Sequence, residues 1–118
     1  MKYMLLIYSE PGEPEFDSEE AAQAHMGEWF EFTQRVVESG EMVSGEPLQG
    51  VETATTVAVR GGETIVTDGP FAETKEVLGG YYLVDVDSLE RAQQLAAELP
   101  SAKYGRNEVR PLMEIPGG

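Results

Sequence analysis

A chain of 118 residues has the size of one domain, residues 1–118, and with 41% of them apolar it can close one ordinary core. It holds no cysteine, which excludes disulfides, thiolate chemistry and cysteine-ligated zinc or iron–sulfur centres, and fits a reducing compartment. The formal charge of −14 repels phosphate backbones and anionic membranes, so neither nucleic acid nor a membrane is expected as a partner. The opening run Met-Lys-Tyr-Met-Leu-Leu-Ile-Tyr is too short for a membrane span and lacks a small-residue cleavage site, so a cytoplasmic protein is expected.

Residues 2–8 are apolar and aromatic-rich and end in Ser9-Glu10-Pro11-Gly12, which predicts a strand and then a break. Asp17 followed by Glu20 predicts a capping box for a helix over residues 18–39, closed by Gly40 at the C′ position. Steps of three and four place Ala22, Met26, Trp29, Thr33, Val36 and Val37 on its buried face. A short strand over 42–44 and a turn at Gly45-Glu46-Pro47 come next. Residues 54–60 and 63–67 are β-rich and split by Gly61-Gly62, a tight hairpin. Asp68-Gly69-Pro70 breaks its exit, and residues 77–86 form a long strand with a bulge at Gly79-Gly80. Asp87 and Glu90 cap a second helix with Ala92, Leu95, Ala96 and Leu99 as its core face; Pro100 closes it, and a last strand covers 108–115. The order β-α-β, hairpin, β-α-β is an α+β, ferredoxin-like split pattern with an inserted hairpin and helices on one sheet face. The other face needs cover, and a second copy in a homodimer is the simplest source.

The densest chemical signal is the nine-residue run Asp68-Gly69-Pro70-Phe71-Ala72-Glu73-Thr74-Lys75-Glu76, where four ionisable side chains crowd a loop between strands. This run resembles the DGPF signature of the YCII-related family. The opening strand, Gly45-Glu46 with Leu48, Gly79-Gly80-Tyr81-Tyr82-Leu83-Val84 and Glu108-Val109-Arg110-Pro111 agree, so the resemblance spans about residues 1–113. It implies a dimeric α/β barrel and small acid–base chemistry with a histidine–aspartate pair. One relative is a dehydrochlorinase of a chlorinated aromatic, and others occur fused to or beside sigma factors. Asp68 matches the family aspartate by its place in the signature. His25, the sole histidine, lies on the first helix as the family histidine does, although counting back from Gly45 the family position falls nearer Glu28.

Each residue also has a plainer reading. At 100° per residue His25, Trp29, Phe32 and Val36 share one helix sector bordered by Glu28. His25 is then a half-buried histidine bonded to a carbonyl or to Glu28, or the general acid or base that histidine supplies near neutrality. Asp68 either shapes its own turn or acts as the acid or base. Lys75 with Glu73 and Glu76 makes a surface ion cluster, or holds an anionic group; Arg110 has the same two roles. Trp29, Phe71, Tyr81 and Tyr82 are core or interface residues, or walls of a ligand site. One histidine without cysteine leaves only carboxylates for a metal, and no spacing matches a calcium loop, so no metal and no cofactor are expected. The leading expectation is a cofactor-independent acid–base enzyme of lyase or isomerase type on a small organic molecule. Asp68 and His25 are its catalytic candidates, and Lys75, Arg110, Phe71, Tyr82 and Trp29 its binding candidates. The alternative is a non-catalytic binding or regulatory module associated with a sigma factor or a catabolic operon.

Overall fold

A computed structural model describes residues 1–116. The chain runs β1 (Lys2–Ser9), α1 (Glu19–Glu38), β2 (Met42–Pro47), β3 (Thr55–Arg60), β4 (Glu63–Asp68), β5 (Val77–Asp85), α2 (Leu89–Glu98) and β6 (Arg106–Pro111), with 3-10 turns at Val51–Thr53 and Pro100–Lys103. Four strands form one sheet in the order β2-β5-β1-β6, every neighbouring pair antiparallel, while β3 and β4 make a separate hairpin. The two β-α-β units interleave, so that β1 and β5 lie at the centre and the strand closing each unit forms an edge. This is the ferredoxin-like pattern expected from the element order.

Alternation along β1 sets the layers. Tyr3, Leu5 and Ile7 are buried with Phe32 and Val36 of α1, Val84 of β5 and Ala92, Leu95 and Ala96 of α2. Met4 and Leu6 point to the opposite face, which has no helix over it and leaves them half-buried. The extents of 48 × 47 × 18 Å describe a flat molecule, one sheet and one helix layer thick. Its radius of gyration of 16.6 Å exceeds the about 13.5 Å of a compact chain of this length. The hairpin accounts for part of this: its tip closes on Gly61 and Gly62, at φ 58° and 81°, and Val57, Val59 and Val66 stand exposed on one side of it. No helix of the described residues is long and apolar enough to cross a membrane.

Several boundaries differ from the sequence reading. Both helices start one residue later than expected, capped by Ser18 and Ser88 rather than Asp17 and Asp87. Each serine hydroxyl accepts the amide three residues on, at 3.1 Å, which leaves Glu19, Glu20 and Glu90 in the first turns against the helix dipole. Met26 and Val37 are exposed, and Phe32 takes the buried position, because the helical sector through Trp29, Phe32 and Val36 faces the sheet. β2 continues through Gly45-Glu46-Pro47, which pair with Tyr82, Tyr81 and Gly80; an edge strand tolerates proline because its outer side needs no donor. β6 ends at Pro111 rather than 115, because its partner β1 begins at Lys2, whose carbonyl takes the last bond from Leu112 at 3.0 Å. The bulge falls where it was expected, with Gly79 the extra residue between Ile7↔Gly80 and Tyr8↔Leu78.

Across the helix layer Arg91 of α2 grips Glu41 with two bonds of 2.8 Å, tying α2 to the start of β2. The guanidinium hydrogen bonds hold the Glu41 carboxyl below its ordinary range. A carboxylate with a lowered folded pKa stabilises the fold fully above the unfolded value, about 4.3 for glutamate, and loses that contribution as pH falls through the folded value. The Tm difference between the native protein and Glu41→Gln is therefore expected to be present at neutral pH and to shrink on acidification below about pH 4.3. A difference that stays constant down to acid unfolding would contradict it.

Candidate functional site

The middle of α1 carries an aromatic cluster packed on Tyr82, which lies opposite Leu5 at the centre of the sheet. Tyr82 of β5 stacks on Trp29 with ring centroids 6.4 Å apart and planes at 21°, and takes the edge of Phe32 at 5.4 Å. Its hydroxyl bonds Thr33 Oγ1 at 2.7 Å, fixing the ring on α1. The room for it comes from Gly45 on the neighbouring strand, where any side chain would run into the Tyr82 ring. On the outer side Phe16, in the loop before α1, packs on His25 at 5.2 Å, and Tyr104, after the Pro100–Lys103 turn, packs at 5.6 Å.

His25 sits inside this wall with its side chain 15% exposed. The indole nitrogen of Trp29 donates to Nε2 at 3.1 Å, and the Tyr104 hydroxyl lies 3.0 Å from the same nitrogen. Indole N–H can only donate, so Nε2 is the acceptor, the neutral ring carries its proton on Nδ1, and Tyr104 also donates. Nδ1 faces Glu28 Oε2 at 3.7 Å, and Lys103 Nζ reaches the same oxygen at 3.5 Å. Burial first, then the charges of Glu28 and Glu13, push the Tyr104 phenol above its usual range and keep it protonated. The arrangement is a histidine with a fixed tautomer, a lone pair on Nε2, a phenol beside that lone pair and a carboxylate behind the ring.

The chain matches the YCII-related domain over residues 1–116. It belongs to the YCII-related family. An uncharacterised protein of Rhizobium meliloti (strain 1021) is 39% identical over 114 residues, covering 95% of this chain and 92% of that protein. Among solved structures, the 5-chloro-2-hydroxyhydroquinone dehydrochlorinase of Burkholderia phenoliruptrix AC1100, in complex with 2,5-dihydroxybenzoquinone, superimposes with a TM-score of 0.52. That alignment covers 96% of this chain and 94% of that one at 12% identity, a likeness of fold.

Of the candidates taken from the sequence, the family fold brings His25, Trp29 and Tyr82 together. It does not bring Asp68 to His25 within the protomer: the neighbours of the imidazole come from α1, the loop before it and Tyr104. Asp68 is the exposed last residue of β4, and its loop is closed by other groups. Gly69 N–H donates to the Ala54 carbonyl, and Thr56 Oγ1 to the Gly69 carbonyl, both at 2.7 Å. Asp68→Asn and Asp68→Ala are thus both expected to change unfolding free energy by less than about 0.5 kcal/mol. A loss near 1 kcal/mol in Asp68→Ala alone, the size of a lost cap, would contradict this.

Phe71 is 89% exposed at the tip of the loop. Lys75 pairs with Glu10 at 3.2 Å rather than with its neighbours Glu73 and Glu76, and Glu76 pairs with Arg106 at 3.5 Å. These two surface pairs join the loop between β4 and β5 to the end of β1 and the start of β6. Arg110 pairs with Glu108 at 2.9 Å on the sheet face away from the helices. Tyr104 was missed in the sequence. Its one local signal is an aromatic residue in a segment bounded by Pro100 and Gly105, and its partner His25 lies 79 positions away.

Proposed function

We propose that this protein is a cytoplasmic, cofactor-independent acid–base enzyme of lyase or isomerase type, acting on a small hydroxylated ring, with His25 moving the proton. One observation carries the reading: the only histidine is enclosed by aromatic side chains, with its tautomer fixed so that Nε2 keeps a lone pair. Histidine is the side chain best matched to proton transfer near neutrality, and an apolar wall with few polar groups is the usual make-up of a small-molecule site. The dehydrochlorinase of the same fold, which acts on a chlorinated hydroxyhydroquinone, supports the choice of substrate class. Asp68, Phe71 and Lys75 belong to this reading as parts of the loop between β4 and β5, which pairs with Glu10 after β1 and with Arg106 at the start of β6. Arg110 belongs to the dimer face.

The assembly in this reading is a homodimer. Met4, Leu6, Tyr81 and Leu83 lie half-buried on the sheet face without helices, and a second copy laid on it would complete a dimeric α/β barrel. Native mass spectrometry at low micromolar concentration is expected to give twice the 12.9 kDa chain mass; a clean monomer would contradict it.

A thermal-shift series with 2,5-dihydroxybenzoquinone and related hydroxylated rings tests the substrate class. A ligand at about 100 times its Kd adds roughly 2.7 kcal/mol, and a series without any shift counts against the reading. A regulatory binding module is the second reading, supported by the exposed apolar hairpin residues Val57, Val59 and Val66 and by Phe71. Ligand stabilisation without turnover, together with capture of a sigma factor that hairpin variants lose, would favour it.

A further inference from the structure

His25 is nearly closed off by its neighbours. Its ring is 15% exposed, Trp29 and Tyr104 both cover Nε2, and Phe16 lies against the ring. Of the two groups on Nε2, the indole N–H can only donate, whereas the Tyr104 hydroxyl can give one proton and accept another, so a proton reaches the imidazole through the phenol. The Tyr104 proton points to Nε2, which leaves the lone pairs of its oxygen for a donor from outside. We propose that Tyr104 is the residue that contacts the substrate, relaying a proton between a neutral hydroxylated ring and His25.

This rests on the acid–base reading above and assigns the contact within it. The transfer balances without any further reactant. The substrate O–H bond breaks and its proton joins the Tyr104 oxygen. The Tyr104 proton joins Nε2, giving a substrate oxyanion and an imidazolium whose Nδ1–H faces the Glu28 carboxylate at 3.7 Å. Tyr104 ends as it began. Trp29 N–H loses its acceptor when Nε2 is protonated, so the imidazolium is short-lived and returns the proton once the ring chemistry is over. The raised phenol pKa supports a relay in which the tyrosine never stands as a free phenolate. The charge around the site selects the substrate form. Glu28 and Glu13 both act on Tyr104, Lys103 is already paired to Glu28, and the chain carries −14, so a ring that arrives as an anion is disfavoured against a neutral phenol.

The sole histidine gives the test a clean reporter, since a 15N-labelled full chain has one imidazole. Two-bond proton–nitrogen correlations on the native protein above neutral pH are expected to show a protonated Nδ1 and a bare Nε2. In Tyr104→Phe the Nε2 resonance should move downfield, because a donor is lost. Resorcinol, a neutral hydroxylated ring, is the probe, and benzoate its anionic counterpart of similar size. Resorcinol is expected to shift the Nε2 resonance of the native protein and not that of Tyr104→Phe, with benzoate shifting neither. A proton on Nε2 in the free native protein, which requires no variant, would overturn the relay. Equal shifts by resorcinol in both proteins would also overturn it while leaving His25 as the acid–base group. No shift in either would count against the small-molecule reading itself.

Discussion

Phe32→Ala is expected to remove about 3–5 kcal/mol of stability, the range for deleting a buried aromatic side chain. Phe32 is 2% exposed in the core with Val36, and its edge rests on the Tyr82 ring at 5.4 Å. The Arg35 guanidinium lies over the ring at 5.7 Å, so the substitution also removes that contact. A domain of this size has about 5–15 kcal/mol in total, and the loss corresponds to a fall in Tm of roughly 10–25 °C. Phe32→Leu, which keeps most of the volume, should cost less than about 1.5 kcal/mol. Val37→Ala, on the exposed side of α1, should stay within about 0.5 kcal/mol. Denaturant unfolding at one fixed protein concentration checks the series, because a dimer's midpoint depends on concentration. The same change removes the support under Tyr82, and with it the stack that holds Trp29 against His25. Phe32→Ala should therefore also weaken ligand stabilisation, although Phe32 itself faces the core.

How far each part could be read from the sequence depends on the range of the forces that set it. The hairpin at Gly61-Gly62 and the helix stop at Gly40 were legible because each depends on a positive φ that glycine reaches cheaply, and the bulge at Gly79 because a glycine pair interrupts a β-rich run. The three buried residues on α2, Ala92, Leu95 and Ala96, were legible because one periodic stripe faces one sheet, and Leu99 is buried just past it at the C-cap. The caps were misplaced by one residue, because Asp-Ser stands before each helix and only the register of the first turn decides which oxygen reaches the third amide. The extent of β2 was not legible, since Gly45-Glu46-Pro47 is turn-like by composition and is drawn into the sheet by pairing with β5. The site shows the same division. His25, Trp29 and Phe32 share a face of one helix, which helical spacing reveals. Tyr104 and Tyr82 reach them from segments 79 and 49 positions away along the hydrogen-bonded pairs, which nothing local records.

His25→Gln should lower turnover of any substrate by about 100- to 10,000-fold while leaving the fold in place, the usual contribution of one positioned acid–base group. Glutamine can turn its amide oxygen towards the Trp29 N–H and keep that hydrogen bond, but it cannot take up a proton. The side chain is nearly enclosed and the replacement is similar in reach, so the stability change should stay below about 1 kcal/mol, one hydrogen bond. Glu28→Gln separates the reacting ring from the charge behind it. At 3.7 Å from Nδ1 and half exposed, Glu28 acts on the imidazolium across a screened gap, so its loss should cost no more than about fivefold. If His25→Gln and the native protein turn over a substrate at equal rates, the imidazole is only a wall of the site. If His25→Gln unfolds, the histidine is a core residue and the plainer reading of the helix is the right one. An intact fold with a large loss of turnover, and a much smaller loss in Glu28→Gln, is the pattern expected of a histidine that moves a proton and a carboxylate that steadies its charge.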